Sequence, residues 1–372
     1  MNVPMLDLKA QHAGIRDALM QRVVPVIEGQ TFILGQPVLD LEAQVAALAH
    51  ARHGIGVASG TDGLLLPLKA LDLAPGDEVI TSPFTFFATA GAIHNAGARA
   101  VFVDIDPATY NLDPGAVEAA IGPRTRAVVP VHLYGQMAAL ERILPAAARH
   151  GLAVIEDACQ SIGARRRVEG AWRVAGELGT ATSFSFFPSK NLGGWGDGGM
   201  VVTSDERMHE RVRRLRTHGG TKLYHHDEVG VNSRLDALQA AVLLAKLPYL
   251  AQWSEARRAN AAWYGRALAG LDAVRSPLTD PANEHIFHQY VIEAERRDEL
   301  QAHLKAQGIG TAIYYPVPLH LQPCFGYLGY RHGSLPAAER AVARVLALPV
   351  YPELTEAQRT HVVGAIRGFY RA

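Results

Sequence analysis

The chain is poor in the features that mark several protein classes. Its 372 residues include only two cysteines, Cys159 and Cys324, far apart in sequence. That excludes a disulfide-built scaffold and points to two free thiols in a reducing compartment. There is no excess of charge, since 36 Lys and Arg balance 36 Asp and Glu. A neutral chain lacks the general attraction to nucleic acid or anionic lipid that a basic chain has. Any anion must be held by a local site. No stretch reaches the roughly 18 uncharged apolar residues of a membrane span. The opening MNVPMLDLKAQHAGIRD carries charges where a secretory signal has an apolar run. A cytoplasmic protein without nucleic-acid or membrane partners is expected. Also missing are G-x-x-x-x-G-K-[ST], G-x-S-x-G and H-E-x-x-H. Gly54-Ile55-Gly56 is off-register for a dinucleotide fingerprint, because the next glycine falls at position 60.

With 48% hydrophobic residues, the chain can bury a large core. Apolar runs of four to six residues alternate with amphipathic stretches. Strands are expected at Ile55–Ala58, Glu78–Thr81, Ala100–Val103, Ala127–Val131 and Ala153–Glu156. Helical spacing fills Val38–Ala49, Asp62–Leu71, Phe86–Ala96, Pro114–Ile121 and Met137–His150. This β-α-β-α rhythm predicts a mostly parallel sheet with helices on both faces. Thr180–Phe186 and Gly199–Thr203 read as strands flanking a Gly-rich loop, and Asp236–Leu247 as a helix. The remainder, from about 255, reads helix, strand, helix, strand, helix. The expected division is a large domain, 1–250, and a smaller C-terminal α/β domain, 251–372.

Open sheets of this kind bind ligands outside the carboxyl ends of their strands. Chemistry is therefore expected at Ser59–Asp62, Thr81–Phe87, His132–Gln136, Glu156–Gln160 and Ser185–Lys190. Gly60-Thr61-Asp62-Gly63 joins a strand to a helix, where free N–H groups suit a phosphate; an ordinary helix cap has the same sequence. Phe84-Thr85-Phe86-Phe87 could stack on a planar group or simply fill the core. Asp157 ends an apolar strand, where a carboxylate can pair with a protonated ring nitrogen, bind a metal or cap a helix. Asp104 and Asp106 also follow a strand, but their spacing fits no standard magnesium pattern, and no metal is expected. Lys190 stands alone among apolar and glycine residues, with Phe186 and Phe187 before it and Gly193 to Gly199 after it. A desolvated lysine loses its proton more easily and becomes a nucleophile for carbonyls. Arg165-Arg166-Arg167 reads as an exposed loop and Arg207–Arg216 as a solvated helix face.

In this order the pieces make a phosphate anchor, a stacking ring, a carboxylate and a lysine, the parts that pyridoxal phosphate needs. The motifs ASGTDGL (58–64), PFTFFATA (83–90), PVHLYGQ (130–136), IEDACQSIGA (155–164), SFFPSKNLGGWGDGGM (185–200), VGVNSRLDALQAAVL (229–243) and YYPVPLHLQ (314–322) run through nearly the whole chain. They resemble the DegT/DnrJ/EryC1/StrS sugar aminotransferases, which are fold-type I enzymes using pyridoxal 5'-phosphate. The resemblance implies a Schiff base at Lys190 and pairing of Asp157 with the pyridine nitrogen. It implies Gln160 beside the ring hydroxyl, and Gly60, Thr61, the backbone of Asp62 and Ser185 at the phosphate. Phe86 stands where relatives often carry Trp or Tyr, and keeps a stacking face. Asn232 would reach the phosphate of a partner subunit, giving a homodimer with shared sites. His218, Arg234, Tyr315 and His320 are implied near substrate.

The implied reaction moves an amino group, from glutamate (leaving 2-oxoglutarate), to a nucleotide-linked keto sugar. Related dehydratases carry His at the position of Lys190. The loop Lys-Asn-Leu-Gly-x-x-Gly-Asp-Gly-Gly resembles relatives acting on 3-keto hexoses linked to UDP or dTDP. The alternatives are a 4-keto sugar substrate or a non-catalytic regulatory member of the fold. An amino-acid aminotransferase would need an arginine clamp for two carboxylates, which the sequence does not display.

Overall fold

The computed structural model describes residues 1–222 and 224–371. Its centre is a seven-stranded sheet. The strands are β1 (His53–Val57), β2 (Glu78–Thr81), β3 (Arg99–Phe102), β4 (Thr125–Val129), β5 (Ala153–Asp157), β8 (Ala181–Ser185) and β9 (Gly199–Thr203). They lie in the order β1-β9-β8-β5-β4-β2-β3. Every pair is parallel except those made by β9, which runs against both β8 and β1. Six carboxyl ends therefore open on one edge, together with the start of β9. Between β5 and β8 lie β6 (Arg165–Val168) and β7 (Ala171–Val174), a hairpin that a later short strand, β13 (Asn283–Glu284), joins.

Helices α1 (Leu8–Glu28), α2 (Gln36–Leu48), α3 (Gly60–Lys69), α4 (Ala88–Asn95), α5 (Pro114–Ala120), α6 (Leu140–Arg149), α7 (Glu206–Arg216) and α8 (Ala237–Lys246) cover the sheet and its flanks. Local chemistry sets their starts. Ser59 caps α3, its Oγ accepting from the Asp62 amide at 3.1 Å, and Asp205 caps α7 through the Met208 amide at 2.9 Å. Pro37 stands in the first turn of α2, where a missing N–H costs nothing. Both faces of the sheet are sealed: Ile55, Leu64, Val79, Phe84, Val129 and Ile155 are buried in one cluster, and Val38, Leu41, Phe184, Met200 and Leu243 in another.

A short two-stranded turn, β10 (Gly220–Lys222) with β11 (His225–His226), precedes α8. From α9 (Leu250–Leu268) onward a second unit forms. It holds β12 (Val274–Arg275), β14 (Tyr290–Ala294), α10 (Arg297–Ala306), α11 (Pro336–Arg344), β15 (Val345–Leu348) and α12 (Glu356–Arg371), with a sheet ordered β12-β14-β15. Tyr264, Tyr290, Ile292, Leu300, Leu348 and Val362 fill its core.

Every strand expected from the sequence up to residue 203 is present. Three readings change. The arginine run 165–167 is not a loop: it lies in β6, and strand alternation turns Arg166 inward while its neighbours face out. Arg166 is buried and forks onto Glu141 at 2.6 and 2.7 Å and onto Asp280 at 2.9 Å. The basic face of α7 is only partly solvated. Arg216 is buried, giving hydrogen bonds to Glu42 at 2.6 Å and to the Gly56 carbonyl at 3.0 Å. The N-terminal segment, given no element above, forms α1, kinked at Ile15, whose Ile15, Leu19, Val23 and Val26 pack against α8.

Candidate active site

A cleft of about 630 Å³ opens at the carboxyl edge of the sheet. All five expected strand-end segments line it: Ser59, Gly60 and Thr61 after β1, Thr85 and Phe86 after β2, Tyr134 after β4, Asp157, Cys159 and Gln160 at the end of β5, and Ser185 and Lys190 after β8. Asp197, just before β9, also reaches it. The far wall comes from the second unit, through His288, Gln289, Ile313, Tyr314 and Tyr315.

Asp157 is buried and held from two sides. Its Oδ2 accepts from Thr89 Oγ1 at 2.7 Å, and its Oδ1 accepts from the Cys159 amide at 3.2 Å. Thr85 stands behind Thr89, with their hydroxyls 3.0 Å apart. Gln160 uses both ends of its amide: Oε1 accepts from the Tyr134 amide at 2.8 Å, and Nε2 donates to the Tyr315 hydroxyl at 2.9 Å. Because Tyr315 accepts there, its own O–H is free to donate into the cleft. Tyr134 in turn donates to the Tyr314 carbonyl.

Lys190 lies in a tight loop closed by Lys190 N–H to the Phe187 carbonyl and Gly194 N–H to the Phe186 carbonyl, both 2.8 Å. Burial lowers its pKa against the opposing pull of Cys159 and Asp157. Burial also pushes the Cys159 thiol well up, so that it stays protonated and a poor nucleophile. His288, buried beside the cleft, is kept neutral by burial and by the charge of Lys190. Its Nδ1 lies 3.1 Å from Asn191 Oδ1, and the Asn191 amide nitrogen donates to the Ile286 carbonyl, so Nδ1 carries the proton. Below the cleft, His132 Nδ1 accepts from the Ala138 amide at 3.1 Å, which puts the proton on Nε2, 2.7 Å from Glu156.

The residues fit pyridoxal phosphate. The first turn of α3 offers the amides of Gly60 and Thr61 without helical partners. A Cβ at Gly60 would lie 2.7 Å from Ser185 Cβ and 2.9 Å from Cys159 Sγ, so only glycine leaves that cradle open. Asp157 and Lys190 line the same space.

Of the residues named from the sequence, Gly60, Thr61, Phe86, Asp157, Gln160, Ser185, Lys190 and Tyr315 share the cleft. The others do not. The Asp62 amide is taken by its cap, and its carboxylate accepts from Ser233 Oγ at 2.8 Å. His218 and Asn232 are exposed on the segment around β10 and β11, and Arg234 is half-buried; none lines the cleft of its own chain. His320 does not line the cleft: it is buried, with Nε2 3.0 Å from Glu339 Oε1 on α11. Not singled out from the sequence were Thr89, His288 and Gln289, while Tyr134 falls inside the expected His132–Gln136 segment.

Asp104 and Asp106 spend their oxygens on backbone amides. Among the described residues, His53, Glu206 and His209 gather ligand atoms within 4.8 Å of one another. The two imidazoles stack face to face, 4.0 Å apart and 4° from parallel. His53 Nε2 and His209 Nδ1 each lie against a Glu206 carboxylate oxygen, at 3.1 and 3.4 Å.

Residues 14–367 match the DegT/DnrJ/EryC1/StrS aminotransferase family. The chain belongs to that family. It is 53% identical to a "pleiotropic regulatory protein" of Geobacillus stearothermophilus, over 100% of this chain and 99% of the relative. It is 47% identical to a UDP-N-acetyl-3-dehydro-alpha-D-glucosamine 3-aminotransferase of Acidithiobacillus ferrooxidans, over 98% and 97%. The crystal structure of S. venezuelae DesV superposes with a TM-score of 0.96 at 43% identity, covering 100% of this chain and 99% of that one. The fold of this family member is thus that of solved sugar-aminotransferase relatives along its full length.

Proposed function

We propose that this protein is a pyridoxal-phosphate-dependent aminotransferase that aminates C3 of a nucleotide-linked 3-keto hexose, with glutamate as donor. One observation carries the reading: Lys190 and the anchored carboxylate of Asp157 face one cleft whose glycine cradle lies at a helix N-terminus. The Acidithiobacillus relative is named for a 3-keto sugar nucleotide, which supports C3. The bound cofactor supplies an aldehyde carbon to carry nitrogen and a ring that accepts electrons.

The protein's residues do the rest. The amides of Gly60 and Thr61, with the hydroxyls of Thr61 and Ser185, bind phosphate. Phe86 forms a wall against the ring. Asp157 would hold a proton at the ring nitrogen, and Gln160 and Tyr315, hydrogen-bonded to each other, would offer a donor to the ring hydroxyl. Lys190, its pKa lowered by burial, would be the amine that holds the cofactor and, once free, would carry the proton between the substrate carbon and the cofactor carbon that bears the nitrogen.

Phe86 and Phe187, which line the cleft, and Phe87 and Trp195 in the same two loops are all substantially exposed. Their exposure, and the absence of the exposed Asn232 from the lining of its own cleft, support a two-fold homodimer in which Asn232 would serve the partner's phosphate. We further read residues 1–250 and 251–372 as the two domains, and the cytoplasm as the place of work.

The test runs the reaction backwards. Purified protein is offered amino sugar nucleotides with 2-oxoglutarate, and borohydride-treated protein is mapped by mass spectrometry. Deamination of a 3-amino UDP- or dTDP-sugar, with the label on Lys190, is expected. Turnover confined to 4-amino sugars overturns C3, and absence of any label on Lys190 overturns the mechanism.

A further inference from the structure

Lys246 ends α8, and its side chain is buried, with 4% of its surface exposed. Among the described residues its Nζ donates to one group, the Gly193 carbonyl, at 2.7 Å. Burial alone pushes its pKa down to about 8. An ammonium buried on a single neutral acceptor is unfavourable for stability. The reaction proposed above gives it no part.

The acceptor explains the position. Gly193 is three residues after Lys190, in the loop closed by the Phe187 and Phe186 carbonyls. The loop doubles back so tightly that a Cβ at Gly193 would lie 2.3 Å from the Pro188 carbonyl oxygen. Asn191 pins its middle through Ile286 and His288. Gln239, also on α8, accepts from the Trp195 amide at 2.8 Å and pins its far side. Lys246 supplies a charged tether, at the point where the chain leaves the turn bearing Lys190.

We propose that Lys246 is a positioning residue for Lys190: docked on the Gly193 carbonyl, it fixes the turn that aims the Lys190 amine at the cofactor's aldehyde carbon. The inference rests on the reading that Lys190 carries the cofactor. In the bond concerned, the Lys190 nitrogen adds to the aldehyde carbon and the carbonyl oxygen leaves as water.

The experiment compares two ligands on the full-length apoprotein. Pyridoxal phosphate uses the lysine; pyridoxamine phosphate has the same ring and phosphate but no aldehyde. In Lys246→Met, the dissociation constant for pyridoxal phosphate rises about tenfold, while that for pyridoxamine phosphate stays within twofold. Lys246→Arg, which keeps a charged donor, recovers most of the loss. If the Met variant does not fold, Lys246→Gln, uncharged and one bond shorter, shows the same asymmetry. Equal weakening of both ligands means a general structural role and overturns the proposal, as does an unchanged constant for both. Wild-type protein that borohydride fails to fix at Lys190 overturns the functional reading itself, and this inference with it; a fixed wild type with an unaffected variant overturns the tether alone.

Discussion

Replacing Asp157 by asparagine separates charge from shape at the base of the cleft. The Cys159 amide can only donate, so the asparagine Oδ1 must face it, as Asp157 Oδ1 does now. The new NH₂ then faces Thr89. Threonine's hydroxyl both donates and accepts. Thr89 can turn its proton toward Thr85, 3.0 Å away, and accept from the amide instead. The free protein therefore loses little, and stability should stay within about 1 kcal/mol of wild type. The chemistry loses a full charge. Unit charges about 4 Å apart at an effective dielectric of about 20 attract by about 4 kcal/mol. That is roughly a thousandfold in kcat/KM. The assay pairs steady-state kinetics with thermal unfolding of the same preparation. A ring carrying a permanent positive charge, as in the N-methylated cofactor, should return part of the lost rate, since it no longer needs the carboxylate to stay charged. A variant within tenfold of wild-type kcat/KM refutes the pairing of Asp157 with the ring nitrogen. A large drop in Tm refutes the hydroxyl reversal.

Other outcomes follow from the same geometry. Lys190→Ala should abolish amination, and mixing it with Asn232→Ala subunits should restore activity, because one hybrid interface holds an intact site; no recovery counts against a shared site. Gly60→Ala puts a methyl 2.7 Å from Ser185 Cβ; overpacking of about 1–3 kcal/mol should weaken pyridoxal phosphate binding roughly five- to a hundredfold in titration, and an unchanged constant removes the phosphate from that corner. Lys246, pushed down to about 8 from 10.5, gives a pH slope. Between those values the unfolded chain holds a proton that the folded one has lost, so this group's contribution to stability rises with pH. From pH 7.5 to 9.5 the gain is about 2 kcal/mol. Urea unfolding should show Lys246→Met lacking that rise; equal slopes in both proteins refute the burial cost.

Strands and their ends were legible because alternation and strand-to-loop punctuation are local signals. Asp157 and Lys190 could be named because each ends or follows a strand. Partners reached across the chain were not legible. Gln160 meets Tyr315 across 155 residues and Tyr134 reaches Tyr314 across 180, and nothing near either end announces the other. His320 was implied near substrate by the motif YYPVPLHLQ, and only packing decides whether a histidine faces a cleft or a core. Arg166 misled in the opposite sense: three arginines suggest solvent, whereas a period of two buries the middle one. The periodicity of α1 is broken by Gly14 and Pro25, and its apolar face shows only against α8.

The reversed strand β9 has a consequence for how a nascent chain matures. β1 touches the sheet only through β9. At synthesis rates of 5–20 residues per second, β9 leaves the ribosome roughly 7 to 30 seconds after β1. Until then the earliest strand is an unpaired edge, and the Ser59–Thr61 corner behind it has no fixed place. Completion of that corner must therefore wait for the middle of the polypeptide, and chaperone demand should peak in that interval.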